Sequence, residues 1–227
     1  PMGDVGQVAP IDADILLDDS LDAVVAGAEI VVNAVGVLFE RGRQSFAAMH
    51  ERLPARVALA AQRAGAKQVL HISALGADPH SPSAYGRSKA AGEAALLAAD
   101  PNAIILRPAL VFGPEDDFFN RFACYARYLP VLPLIGGGAT RFQPVYVRDV
   151  ADAVVAALNR PDARGRVFEL AGPRVYSFKE LMELILRVTR RSPPLVSVPV
   201  ALVTPQAWLC EFLPKPLTPE ALARKVR

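Results

Sequence analysis

The chain has 227 residues, 52% hydrophobic and 21% charged, which excludes general disorder and is long enough to bury a substantial core. A net charge of +2, from 25 basic and 23 acidic residues, excludes the positive excess of a nucleic-acid binder. Two distant cysteines, Cys124 and Cys210, and three histidines, His50, His71 and His80, match no metal-ligand spacing, so no metal site is expected and a reducing compartment is the default.

In chain order, Gln7–Ile11 reads as a short strand. Asp19-Ser20 can cap a helix that runs to Ala26 and ends at Gly27. The β-branched run from Glu29 to Val35 predicts a buried parallel strand. Helical periodicity covers Phe46–Ala64, with a break or fresh start at Pro54 and a stop at Gly65. A strand over Gln68–Ser73 precedes an Ala-rich helix, Ser83–Ala98. A strand over Ala103–Leu106 ends at Arg107-Pro108.

Further on, the pattern gives a helix at Asp117–Tyr128, a Pro/Gly-rich stretch to Gly138, a strand at Gln143–Tyr146 and a helix at Arg148–Leu158. Val167–Leu170 reads as strand, Ser177–Val188 as helix, Val196–Val198 as strand and Ala201–Phe212 as helix. The uncharged run from Ser192 to Cys210 contains Pro193, Pro194, Pro199 and Pro205, too many breaks for a bilayer-crossing helix. A membrane-facing patch near Ala201–Leu213 is the alternative to burial. Strands alternating with helices through short links predict an open parallel α/β sheet with helices on both faces.

Four constellations carry chemistry. Tyr85 and Lys89, four apart on a helix, share one face, and an ammonium beside a phenol makes it a usable general acid or base. The bland alternative is a packed Tyr and a solvated Lys. Ser73 ends a strand twelve residues before Tyr85, where α/β sheets bind ligands. Asn33, Ala34, Val35 and Gly36 end the preceding strand, and small residues there let a dinucleotide approach the backbone; a plain turn is the alternative. Arg107-Pro108-Ala109-Leu110-Val111 follows a third strand, and the Pro108 carbonyl is expected to lack a ladder partner and to accept from a nicotinamide carboxamide.

Asn33, Ser73, Tyr85 and Lys89, followed by LRPALVFGP, resemble the extended or atypical short-chain dehydrogenase/reductase superfamily over nearly the whole chain. The segments HISALGADPHSPSAYGRSKAAGEAAL, LRPALVFGPEDDFFNRFA, TRFQPVYVRDVADAV and FERGRQSF narrow the resemblance. They look like the bacterial branch of the nucleotide-binding accessory-subunit family of respiratory complex I, NADH dehydrogenase 1 alpha subcomplex subunit nine. That resemblance implies a Rossmann-type doubly wound sheet and a tightly bound NADP(H), with NAD(H) as the alternative. It implies Asp14 and Ile15 near the adenine and Asn33 to Gly36 along the dinucleotide. Ser73, Tyr85 and Lys89 would form the catalytic set, Lys89 also on the ribose, with Pro108 to Val111 flanking the nicotinamide. Arg141 and Gln143 would approach the substrate or hold the smaller lobe, and a structural ion pair is the other reading of Arg141.

The chain departs from the family pattern in two places. No G-x-x-G-x-x-G phosphate loop is present; Gly3-Asp4-Val5-Gly6 lacks a strand before it and a helix after it. The chain is therefore expected to begin after the second family strand, which would leave Gln7–Ile11 without a neighbour and expose an apolar sheet edge. Dinucleotide binding should then be far weaker than in the full reading frame, and a low-micromolar complex would refute that. Leu53-Pro54 replaces the Gly-Thr of extended relatives and puts the local helix packing in question.

The expected organisation is a dinucleotide-binding domain over 1–130 and a substrate or docking lobe over 131–227, with 143–170 partly returning to the sheet. Three functions remain open: an NAD(P)-dependent oxidoreductase, a non-catalytic subunit of a respiratory complex, or a nucleotide-sugar epimerase or dehydratase. The expected location is cytoplasmic, or peripheral to the bacterial inner membrane with complex I as partner.

Overall fold

The computed structural model describes residues 8–199. Helix α1 (Asp18–Val25) puts Asp18 and Asp19 in its first turn, where carboxylates complement the unpaired N–H groups, and buries Leu21 and Val25 one turn apart. Asp19 and Ser20 lie inside the helix rather than capping it; the N-cap is Leu17, without a side-chain bond. The chain reverses at Gly27, whose φ of 72° suits glycine, into strand β1 (Ile30–Asn33).

The helical stretch through Pro54 is continuous but not uniform. A π-helical turn, Ala47–Arg52, with Leu53 N–H donating to the Ala48 carbonyl, leads into α2 (Leu53–Arg63). Pro54 has no N–H to give the carbonyl four residues earlier, that of His50, and the helix answers by widening rather than breaking. Strand β2 (Gln68–Ile72), helix α3 (Ala84–Ala99) and strand β3 (Ile104–Pro108) follow within a residue or two of expectation.

Next come β4 (Val111–Phe112), α4 (Asp117–Tyr128), β5 (Leu132–Ile135), β6 (Arg141–Phe142), β7 (Val145–Tyr146) and α5 (Val147–Leu158). The described chain closes with β8 (Val167–Leu170), β9 (Tyr176–Ser177), α6 (Phe178–Thr189) and β10 (Leu195–Val198). Helix α6 starts in a reciprocal capping box between Ser177 and Glu180. The helix expected at Ala201–Phe212 lies outside the described residues.

The chain packs as two units. The first takes 8–108 and 150–170; the second takes 109–149 and 171–199. The first division thus falls after Pro108, where the sequence suggested about 130.

The first unit is a parallel sheet in the order β1-β2-β3-β8. Alternation sends Val31, Val69 and Ile105 to one face, against Leu21, Leu53, Val57 and Leu96. Leu70, Ile104 and Leu106 go to the other, against Val154, Ala157 and Leu158 of α5. Helices cover the first face over β1, β2 and β3, and α5 covers the second over β2 and β3, as near-continuous apolar strands there require.

Residues 8–11 form no ladder, and Val8 and Ile11 are exposed, so the strand expected at Gln7–Ile11 is absent from its described part. An extended segment without a neighbour has no hydrogen bonds to hold it as a strand. Among the described residues β1 pairs on one side only, and its Ile30 and Val32 stay exposed, the apolar edge the sequence led us to expect.

The second unit centres on Leu134, Phe178, Leu181, Met182 and Ile185, with Phe118 and Phe122 packed edge-on to Phe178 and Phe142 tilted against it. Its strands pair in twos: β4 with β7, β5 with β10, β6 with β9.

Candidate functional site

Among the described residues the seven buried polar side chains, Asn33, His50, His71, Ser73, Ser88, Lys89 and Glu93, all belong to the first unit. Register explains part of the grouping. Asn33 pairs with His71 across β1 and β2, and Ser73 follows His71 by two, so the three share the sheet face that carries Val31 and Val69. The Ser73 N–H donates to Leu106 O at 2.7 Å, while its Oγ, the Asn33 Nδ2 and the His71 Nδ1 are buried without a protein partner. Orphan polar atoms are rare in a folded interior and mark places where a ligand group fits.

Lys89 is 3% exposed, which disposes of the solvated alternative. Its Nζ donates to the carbonyl of Ile72 at 3.4 Å, the residue before Ser73. A Cβ built on Gly36 would stand 3.3 Å from that Nζ, tight enough that the lysine would have to give by a few tenths of an ångström, so the glycine eases the approach of the β1 turn to the ammonium. Asn33 Oδ1 accepts the Val35 N–H at 3.1 Å and shapes the same turn. The ends of β1 and β2 and the middle of α3 thus meet at Lys89.

Burial lowers the Lys89 ammonium from its ordinary range, and the Glu93 carboxylate one turn on opposes the shift. Glu93 is held by Arg107, whose Nε and Nη2 reach both carboxylate oxygens at 2.6–3.2 Å. The spacing Tyr85, Lys89, Glu93 places acid, ammonium and carboxylate in one row; the third member had a sequence signal, the helical interval, that the motif reading passed over.

Tyr85 departs from expectation. Burial raises its phenol, and no lowering by Lys89 accompanies it, because the ammonium is turned to the Ile72 carbonyl. The loop before it is pinned down: Asp78 N–H bonds to Gly86 O, and Arg87 donates to the carbonyls of Ser81 and Pro82. The Pro108 carbonyl has a neighbour that spacing did not suggest. It accepts the Leu75 N–H at 2.9 Å, so it does have a protein partner, supplied by the loop after β2 rather than by a ladder strand.

His50 and Ser88 had no sequence signal, since His50 bonds to residues 13 and 38 positions away. Asp14 accepts from Leu16 N–H and pairs with Arg43, and these bonds hold its carboxyl below the usual range; Ile15 packs at the rim of the core. Arg141 and Gln143 lie in the second unit with Ala109, Leu110 and Val111. Gln143 Nε2 donates to Gly172 O at 2.6 Å and holds that unit's own backbone, while Arg141 is exposed and makes no ion pair within the described residues. The described residues hold no cluster of ligating side chains for a metal ion.

A parallel sheet with helices on both faces, with a Gly turn, Ser and Lys gathered where its strands end, defines a Rossmann-type nucleotide-binding fold of the dehydrogenase and epimerase class. The family model for the NAD dependent epimerase/dehydratase family matches residues 4–171, and the chain belongs to that family. It is 40% identical over 222 residues to the NADH dehydrogenase [ubiquinone] 1 alpha subcomplex subunit 9, mitochondrial, of Arabidopsis thaliana, covering 95% of this chain and 55% of that one. It is 34% identical over 196 residues to a ceramide reductase of Caulobacter vibrioides, covering 85% and 60%. The chain therefore spans a little over half the length of these relatives.

Among solved structures it is similar to the epimerase Mth375 of Methanothermobacter thermautotrophicus, with a TM-score of 0.75, 18% identity and 87% of this chain against 68% of that one. It is also similar to MoeE5 in complex with UDP-glucuronic acid and NAD, with a TM-score of 0.73, 21% identity and coverage of 88% and 75%. Such identities speak for the fold alone. No described helix is long and apolar enough to cross a membrane.

Proposed function

We propose that this chain provides the nicotinamide and ribose side of an NAD(P)(H) site, NADP(H) in the first instance, and that Ser73, Tyr85 and Lys89 form a carbonyl-reductase set within it. The observation that carries this is the buried, unpartnered Ser73 Oγ at the end of β2, one residue from the carbonyl that Lys89 holds. The residues fit the group: Gly36 opens the turn to a ribose, Lys89 is a buried donor for its hydroxyls, and Asn33 to Val35 line the path. Pro108 keeps one carbonyl lone pair for a carboxamide beside its bond to Leu75.

When bound, the dinucleotide supplies the hydride. Ser73 Oγ orients the substrate carbonyl, and Tyr85 gives the phenolic proton to the carbonyl oxygen as that oxygen gains charge. A phenol raised by burial is protonated at neutral pH, which suits reduction over alcohol oxidation. Lys89, whose charge Glu93 favours, serves the ribose hydroxyls rather than the phenol. The relative named a ceramide reductase supports this reading.

Tyr85→Phe should cut carbonyl reduction by ~10³-fold, the scale of a lost general acid, and leave dinucleotide affinity within about twofold. Retained turnover would overturn the assignment. The relatives named as NADH dehydrogenase subunits favour a second reading, a nucleotide-clamped subunit docked at a respiratory membrane. In that case purified protein holds stoichiometric NADPH that neither exchanges nor oxidises with any carbonyl compound.

A further inference from the structure

The reductase reading uses Ser73, Tyr85 and Lys89 but leaves a buried histidine beside them unexplained. His50 is 1% exposed and sits inside the π-helical turn, four residues before Pro54. Its backbone is clamped from two sides. Pro54 removes the N–H that its carbonyl would accept, and Gly92 of α3 comes so near that a built Cβ would lie 1.8 Å from the His50 oxygen. Irregular helical turns of this kind aim a side chain that a regular helix would send elsewhere.

The ring is aimed at two elements of the site. Nε2 lies 3.0 Å from the Val37 N–H, and Nδ1 lies 3.0 Å from Ser88 Oγ. Ser88 Oγ in turn donates to the Tyr85 carbonyl at 2.9 Å. Phe46 stacks on one face of the imidazole at 5.1 Å, and the Tyr85 ring meets it edge-on at 5.2 Å. A Cβ on Gly36 would stand 3.7 Å from Nε2.

The donor inventory allows one arrangement. The Val37 N–H can only donate, so Nε2 must carry its lone pair. The Ser88 proton is committed to the Tyr85 carbonyl, so Ser88 Oγ accepts from Nδ1–H. Burial and the Lys89 ammonium push the imidazole down to about 4, which keeps it neutral as this chain of bonds demands.

We propose that His50 is a positioning residue: as the neutral Nδ1–H tautomer it latches the Asn33–Val37 turn to helix α3 and so sets the spacing between the dinucleotide-lining turn and Tyr85. The latch concerns this chain's own geometry; its consequence for the dinucleotide rests on the function proposed above.

The test separates the two. ¹⁵N-imidazole spectra of the protein at neutral pH should show His50 with Nδ1 protonated and Nε2 bare, and the Val37 amide should be protected from hydrogen exchange. His50→Phe, which keeps the stack and loses both polar contacts, should speed Val37 exchange by at least ~10-fold, the scale of one buried bond left unmade. His50→Gln, whose Oε1 reaches the Nε2 position, should restore protection to within about threefold; His50→Asn, which reaches only the Nδ1 position, should not. NADPH affinity should follow the same order, with His50→Phe weaker by ~10-fold or more.

A doubly protonated or Nε2–H ring, or Val37 exchange unchanged in His50→Phe and His50→Asn, would overturn the latch. Should His50→Phe not fold, the Gln and Asn variants decide. If the parent binds no NADPH at millimolar concentration, the proposed function fails, and the spectra and Val37 exchange still judge the latch.

Discussion

The first unit buries Asn33, His50, His71, Ser73, Ser88, Lys89 and Glu93, while the interior of the second is Leu134, Leu181, Met182 and Ile185 around a ring of phenylalanines. The two interiors solve different problems. An aromatic interior needs only area and edge-to-face geometry. A polar one must match each donor and acceptor or lose the desolvation energy of that group. The first unit matches most of them, through Arg107–Glu93 and the His50–Ser88–Tyr85 chain, and leaves Asn33 Nδ2, His71 Nδ1 and Ser73 Oγ open at one place. Some buried polar groups thus hold the frame, and the unmatched ones are those that the proposed function assigns to a ligand.

The sharpest break of this contrast is Phe178→Ala. It removes a ring that meets Phe118, Phe122 and Phe142, and should cost about 4 kcal/mol by denaturant unfolding of the second unit. Amide exchange should rise across α4 and α6; an equal rise in β2 and α3 would deny the two-unit division.

Arg107→Ala should cost about 3 kcal/mol, because it strands the Glu93 carboxylate in the interior. The double variant Arg107→Met with Glu93→Leu should recover most of that stability and still lower dinucleotide affinity, since Lys89 loses the carboxylate that favours its charge. Stability recovered with affinity unchanged would make the pair purely structural.

Acid reads the same interior through its histidines. His50 and His71 are both held down at about 4, chiefly by burial, against 6.5 unfolded. Between those values the unfolded chain binds protons that the folded one does not. Stability should thus fall as pH drops from 6.5 toward 4, by about 1.4 kcal/mol per pH unit for each histidine inside that window. Urea midpoints at pH 7 and pH 4.5 measure it; equal midpoints would mean that the histidines titrate normally in the folded protein.

Much of the first unit was legible because its signals are local. The run IVVN, the stop at Gly65 and the Ala-rich segment with Tyr85 and Lys89 specify strand, turn and helix within a few residues. Gln7–Ile11 misled because its alternation is apolar enough for a strand but a strand needs a neighbour. Pro54 was read as a break or restart, while the helix absorbed it as a π turn whose need appears only when Gly92 and His50 meet across 42 positions. The bonds of His50 and the partner of the Pro108 carbonyl are long-range facts that no spacing in one segment encodes. Tyr85 was expected to be acidified, and the helical spacing was right; the orientation of the Lys89 ammonium toward Ile72 was not readable from it.

The most direct test of the central claim is a ¹H–¹⁵N titration of the protein with NADPH, which detects weak binding and locates it. The account predicts saturable shifts at Val35, Gly36, Val37, Ser73 and the amides around Lys89, with the α4 and α6 amides unmoved. Absence of shifts at the ends of β1 and β2 at millimolar NADPH, or shifts confined to the second unit, would contradict it.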